Sequence, residues 1–264
     1  MIKPHILFDN TKKNEQAIIA FKKSINCDEK NLFPYKNLGI IYHSLNEYDY
    51  SIKYLKKFID KSKTIEKDVL ILISNSYAKI NNFDSALNYL KKGLENNQED
   101  IILLTEIASL YFKNKNYENS INFYNKTIKI LPDYAIGYNG IGMAYSEMNN
   151  LRKALINFDK ALKINPSFFD SLVNAGNCLQ KIEAYEEAIT FYQRALKING
   201  NNPDLLSNIG TLFLKINKGE PAIEKFDEAL KIVPENVKII HNKATAYQQI
   251  GPVSYTHLRA HETS

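Results

Sequence analysis

Cysteine is nearly missing from this chain: only Cys27 and Cys178 occur in 264 residues. Two are too few for a disulfide framework, and they lack the clustered spacing of a zinc site. Long apolar runs are missing too, since no stretch approaches the ~20 residues that cross a bilayer. The opening segment, MIKPHILFDNTKKN, has too short an apolar core for a secretory signal and no small-residue cleavage pattern. A strong excess of one charge is also absent, because 34 basic and 29 acidic residues leave a formal +5. That bias names no partner by itself. These absences fit a reducing, cytoplasmic setting and leave the bacterial periplasm open.

Catalytic material is equally thin. His5, His43 and His241 are scattered, and no nucleophile, base and orienting group can be assembled. The stretch Gly140-Ile141-Gly142 has no preceding strand and no third glycine, so close helix packing explains it better than a dinucleotide loop. No catalytic residue, metal ligand or cofactor is expected in this chain.

What the sequence does have is a period. In residues 135–168, Tyr138, Ile141, Gly142, Tyr145 and Met148 are followed, after the polar Asn149 and Asn150, by Leu151, Ala154, Leu155, Phe158, Ala161 and Leu162. Steps of three and four place each series on one face of a helix, so the unit reads as two amphipathic helices joined by a tight turn. The pattern returns every 34 residues, as in the steps Pro132, Pro166, Gly200 and Pro234. Such a period marks an array that grows lengthwise instead of around one core. Six complete repeats are read over residues 32–236, with Glu66 as a one-residue insertion, inside an array covering 32–251.

Both ends depart from the pattern. Residues 1–31 carry only a second-type helix, with its stripe at Ala17, Ile18, Phe21, Ser24 and Ile25; Pro4 argues against a regular helix before it. Residues 237–250 begin a unit with Ile240, Ala244 and Tyr247, and the pattern stops there. Residues 252–264 have no repeat positions. The string VSYTHLRAHET resembles the translated end of a transposon-based sequencing adapter, so 252–264 is read as a non-native tail and the natural protein as continuing beyond Gly251.

Two spacings are small. Gly142 with Gly39, Ser74, Ala108, Gly176, Gly210 and Ala244, and Ala161 with Ser24, Gly93, Thr127, Ala195 and Ala229, are expected on buried faces where helices cross closely. Helix-breaking glycine, about 1 kcal/mol worse than alanine, recurs there because close packing outweighs propensity.

The period and these positions resemble the tetratricopeptide repeat. The resemblance implies an all-α, right-handed superhelical solenoid of antiparallel helix pairs, whose first helices line a concave groove that binds proteins or extended peptides. The residue before each apolar-small pair then points into the groove: Asn37, Leu72, Glu106, Gly140, Asn174, Asn208 and Asn242. The last three form an amide row, able to donate to and accept from a peptide backbone of any sequence. This row is similar to the one in O-linked N-acetylglucosamine transferases, interrupted here by Glu106 and Gly140.

A second likeness is to the carboxylate clamp of chaperone-binding members. Asn177, Asn208 and Lys238 match three of its places, while Val173 and Asn242 stand where a lysine and an arginine are needed. The expected binding residues are therefore Asn139, Asn174, Asn177, Asn208, Lys238 and Asn242. A periodic basic row, Lys23, Lys57, Lys92, Lys126, Lys160 and Arg194, falls late in second helices, where cations suit the helix dipole and solubility. Nucleic acid is accordingly not the expected partner.

Two functions fit. One is a binding scaffold for proteins or peptides. The other is the substrate-recruiting part of a larger enzyme, a glycosyltransferase or a sulfotransferase, with its catalytic domain elsewhere. Self-association through the unpaired C-terminal helix is a further expectation.

Overall fold

The computed structural model describes residues 4–62, 66–95 and 97–251, with side chains given from residue 13 onward. The expected adapter-like tail, 252–264, lies outside the described residues. Every element among them is an α-helix, and the chain divides into two compact units, Met1–Pro132 and Asp133–Ser264.

The first unit holds α1 (Pro4–Cys27), α2 (Phe33–Ser44), α3 (Tyr48–Lys61), α4 (Lys67–Lys79), α5 (Phe83–Leu94), α6 (Ile101–Lys113) and α7 (Tyr117–Ile130). The second holds α8 (Ala135–Glu147), α9 (Leu151–Ile164), α10 (Phe169–Lys181), α11 (Tyr185–Ile198), α12 (Pro203–Lys215), α13 (Gly219–Ile232) and α14 (Val237–Ile250). Within each unit, first-type helices (α2, α4, α6; α8, α10, α12) pack tightly on the second-type helix that follows, and each pair stacks on the next. The architecture is an all-α solenoid of helix pairs.

The turn inside each pair is set by backbone chemistry. Asn46, Asn81, Lys115, Asn149, Glu183 and Asn217 all take positive φ, between 57° and 62°. In each turn the next residue's N–H reaches back five residues: Asn150 N–H donates to Tyr145 O at 2.8 Å, while Asn149 N–H donates to Ser146 O at 3.0 Å. These two bonds are a Schellman closure, which satisfies carbonyls left over at the helix end. Asparagine suits the left-handed conformation because its short amide tolerates it. Asn82, Asn116 and Asn150 then cap the second helix by accepting from the N–H three residues on, at 3.1–3.3 Å.

Packing explains the small positions. A Cβ on Gly142 would lie 2.5 Å from the Phe158 ring, and one on Gly176 2.5 Å from the Tyr192 ring. Each ring is almost wholly buried against its glycine. Ala154, Ala161, Ala188, Ala195, Ala222 and Ala229 fill the other small places without exposure.

Three expectations change. Pro4 does not interrupt a helix: it opens the 24-residue α1, at a first-turn position where its missing N–H has no partner to lose. Ala244 is exposed instead of buried, because among the described residues α14 packs chiefly on α13 and α12. The stripe residues Ala17, Phe21 and Ser24 of α1 are only half-buried, since α1 packs on α2 without a first-type mate.

Candidate functional site

In the second unit, the inward positions fall on α10, α12 and α14. Asn174, Asn208 and Asn242 are all half-buried there, one per first-type helix. Their amides differ in what they already hold. The Asn174 amide donates to Asn139 Oδ1 at 3.2 Å, and the Asn242 amide lies 3.5 Å from Thr211 Oγ1, at the limit of hydrogen-bond reach. Asn208 has no hydrogen-bond partner among the described residues. The row therefore keeps two carbonyls and one whole amide open.

Asn139 behaves otherwise. It is 7% exposed, its carbonyl accepts from Ser171 Oγ at 2.9 Å as well as from Asn174, and its own amide reaches Met143 Sδ at 3.5 Å. The expectation of an open groove contact at Asn139 is corrected: it ties α8 to α10 from within. Gly140, at the formal inward position of α8, is buried as well.

At the rim, Asn177 is exposed, with its carbonyl accepting from the Tyr192 hydroxyl at 2.6 Å. Burial, then the neighbouring Cys178, pushes the Tyr192 phenol up to about 12, so it stays a donor at neutral pH. Lys238 is exposed and forms no ion pair among the described residues. Val173 packs against the core around Tyr192. One free cation, with apolar Val173 and amide Asn242 in the other two cationic places, leaves a carboxylate clamp without most of its charge.

Four of the six residues of the basic row have aromatic partners. Lys57 lies over the Tyr35 ring at 6.0 Å, Lys126 over Phe123 at 4.4 Å, Lys160 over Tyr138 at 5.5 Å and Arg194 over Phe191 at 5.3 Å. Their stems cover aromatic surface and their charges face ring quadrupoles.

The periodic pattern missed a set of links from one repeat to the next. Ser171 to Asn139 and Cys178 to Ser146 join α10 to α8, and Gln249 of α14 reaches Asn217 in the α12–α13 turn; each pair is separated by 32 residues, two short of the repeat. Polar pairs at that spacing were the available signal. It also missed Lys243, which stands where α12 has the core residue Ile209 and forms an ion pair with Asp227 at 2.5 Å. Burial opposes that ammonium's charge, but Asp227 and Tyr247 together outweigh it and hold the pKa above the ordinary lysine value.

Family models for the tetratricopeptide repeat match residues 135–168 and 169–202, and a related model under the same description matches 71–135. Together they span half of the chain. The chain belongs to the tetratricopeptide-repeat family. Solved structures agree. The C-terminal part of a tetratricopeptide-repeat protein from Cytophaga hutchinsonii matches with a TM-score of 0.66 and 18% identity, over 90% of this chain and 97% of that one. A chain of the APC/C hetero-tetramer Cut9–Hcn1 matches at 0.62 and 15% identity, over 89% of this chain and 46% of its own length. YrrB, a tetratricopeptide-repeat protein with an unusual peptide-binding site, matches at 0.53 and 17%, over 85% and 98%. At these identities the likeness is one of fold. No curated protein matches the chain.

Among the described residues of this tetratricopeptide-repeat chain, no group of three or more His, Cys, Asp or Glu could hold a metal, and no helix is long and apolar enough to cross a membrane.

Proposed function

We propose that the second unit binds an extended segment of another protein along its first-type helices, with Asn174, Asn208 and Asn242 engaging the segment's backbone. Asn177 and Lys238 complete the contact at the rim. The observation that carries this reading is Asn208: a half-buried amide on a helix, with no partner of its own, between two neighbours that also keep a carbonyl open. Asparagine is a poor helix former, so stability does not account for three of them at one register. An amide offers a donor and an acceptor together, which is what a peptide unit requires. Recruiting a substrate for a catalytic domain elsewhere in a longer chain would use the same contact.

Peptides selected from a random library on the full chain, then measured by calorimetry, test the proposal. Asn208→Ala should weaken binding at least fivefold, in line with the ~1 kcal/mol of a hydrogen bond. Because Lys238 is the one cation beside an uncharged amide row, affinity should fall by no more than about fivefold between 50 and 500 mM salt, unlike the steep loss expected for a nucleic acid. Unchanged affinity in Asn208→Ala would sink the proposal.

A further inference from the structure

The hydroxyl of Tyr192 is superfluous to packing. Phe158 and Phe226 hold the same register on α9 and α13, lie on Gly142 and Gly210 as Tyr192 lies on Gly176, and are as deeply buried without one. The oxygen serves α10 instead. Asn177 Oδ1 accepts its proton at 2.6 Å, and Gln180 Oε1 at 3.2 Å takes only a minor share of it. This amide pair goes with the tyrosine: its counterparts are Met143 and Ser146 on α8, and Thr211 and Leu214 on α12.

A second register shows what the hydroxyl does. Asn242 stands 31 residues after Thr211, and its amide lies 3.5 Å from Thr211 Oγ1. Asn208 and Asn177 occupy the same two places one repeat earlier, yet Asn208 has no partner among the described residues. The rings of the two repeats account for the difference. The Thr211 repeat has Phe226, with no hydroxyl, whereas the Asn177 repeat has Tyr192, whose hydroxyl holds the acceptor toward α11. An amide whose oxygen is held on one side carries its N–H groups on the other.

We propose, resting on the peptide-binding reading, that Tyr192 is a positioning residue of the groove. Its hydroxyl keeps the Asn177 carbonyl from Asn208, which leaves Asn208 open for the bound segment, and it turns the Asn177 N–H groups toward a main-chain carbonyl of that segment. Without the hydroxyl, Asn208 closes onto Asn177 as Asn242 does onto Thr211. The segment thus meets a donor at Asn177 and a donor with an acceptor at Asn208.

NMR of the side-chain amides in the full chain, with calorimetry on one peptide selected against it, is the test. Tyr192→Phe should melt within about 3 °C of the wild type, since phenylalanine already fills this register on α9 and α13. Its Asn208 amide resonances should move downfield, and its affinity for the peptide should fall about threefold to fivefold. In the Asn177→Ala background the competing acceptor is gone, so adding Tyr192→Phe should leave the Asn208 resonances and the affinity unchanged. A hydroxyl with only a structural role would cost the same in either background. Asn208 resonances that ignore Tyr192→Phe, or equal losses with and without Asn177, overturn the proposal. If Tyr192→Phe melts lower than that, Asn177→Asp at the exposed position takes its place: the oxygen replacing the amide nitrogen should accept from Asn208, and unmoved Asn208 resonances again overturn the proposal. The amide spectra need no ligand, so they report on Tyr192 alone, whereas unchanged affinity in Asn208→Ala removes the binding reading itself.

Discussion

The first unit carries 20 basic and 15 acidic residues in positions 1–132, whereas positions 133–264 carry 14 of each, so the whole excess of +5 lies in the first. The inward positions differ as well. Asn37, Leu72 and Glu106 in the first unit give one amide, already donating to Phe33 O at 2.8 Å, one apolar group and one charge. The second unit repeats asparagine on α10, α12 and α14, with Asn208 wholly open and the carbonyls of Asn174 and Asn242 open while their amides donate. Both units use the same turns and the same buried registers. The scaffold is therefore indifferent to what its inward side chains are, and those side chains are where the two halves are specialised.

The largest difference to be expected lies in how each half tolerates a methyl group at a close crossing. Gly176→Ala sets a Cβ 2.5 Å from the rigid Tyr192 ring, whereas in Gly93→Ala the methyl meets the flexible Cδ1 ends of Leu103 at 2.8 Å and Leu70 at 3.1 Å. Gly176→Ala should cost about 2–3 kcal/mol and Gly93→Ala under about 1. Urea unfolding followed by hydrogen exchange in each unit gives both values; equal costs would show that ring and aliphatic contacts yield alike.

Next in size is the division of labour among the asparagines. Asn139→Ala strips buried Ser171 of its acceptor and should cost about 2 kcal/mol, while Asn208→Ala should change stability by less than about 0.5. A destabilised Asn208→Ala would place that residue in the framework and remove it from the binding row.

A smaller effect, of opposite sign, is expected in the first unit. The Ser120 hydroxyl is buried without a partner, at a register where Ser51 donates to Gly39 O at 2.8 Å and the second unit has Ala154, Ala188 and Ala222. Ser120→Ala should stabilise by about 1 kcal/mol in thermal unfolding.

The smallest expected effect is on pH dependence. His43 on α2 accepts from, or donates to, Ser76 Oγ of α4 at 2.8 Å, with the Tyr48 ring edge-on at 5.4 Å. Burial, then the charge of Lys79, holds its pKa below the ordinary histidine value. A base whose folded pKa is depressed stabilises the fold above its unfolded value of ~6.5 and loses that contribution as pH falls below it. His43 is partly open to solvent, so the loss is small. Exchange protection should weaken in the first unit before the second, where His241 is exposed, between pH 7.5 and 5.5. His43→Gln should flatten that difference.

Much of this was legible in advance because the signal is periodic. Steps of three and four, a closing turn and a return after 34 residues leave few alternatives to stacked helix pairs. The errors fell where the repeat lacks a neighbour. Pro4 was misjudged because the same residue breaks a helix interior and suits its start, and only the boundary distinguishes them. Ala244 was expected to be buried because its register is buried everywhere else, yet register reports a face and not whether anything covers it.

The site was legible by half. Asn174, Asn208 and Asn242 could be chosen from spacing, but nothing in the spacing showed that Asn139, so close in register, turns inward to Ser171 while Asn208 is left open. The amino-acid sequence by itself determined the helix pairs, their turns and which faces must be small, since these depend on periodicity and on steric limits local to the chain. The tertiary structure decided which amides are consumed between helices and which remain for a partner, because that depends on side chains 32 to 35 residues apart meeting across a packed interface.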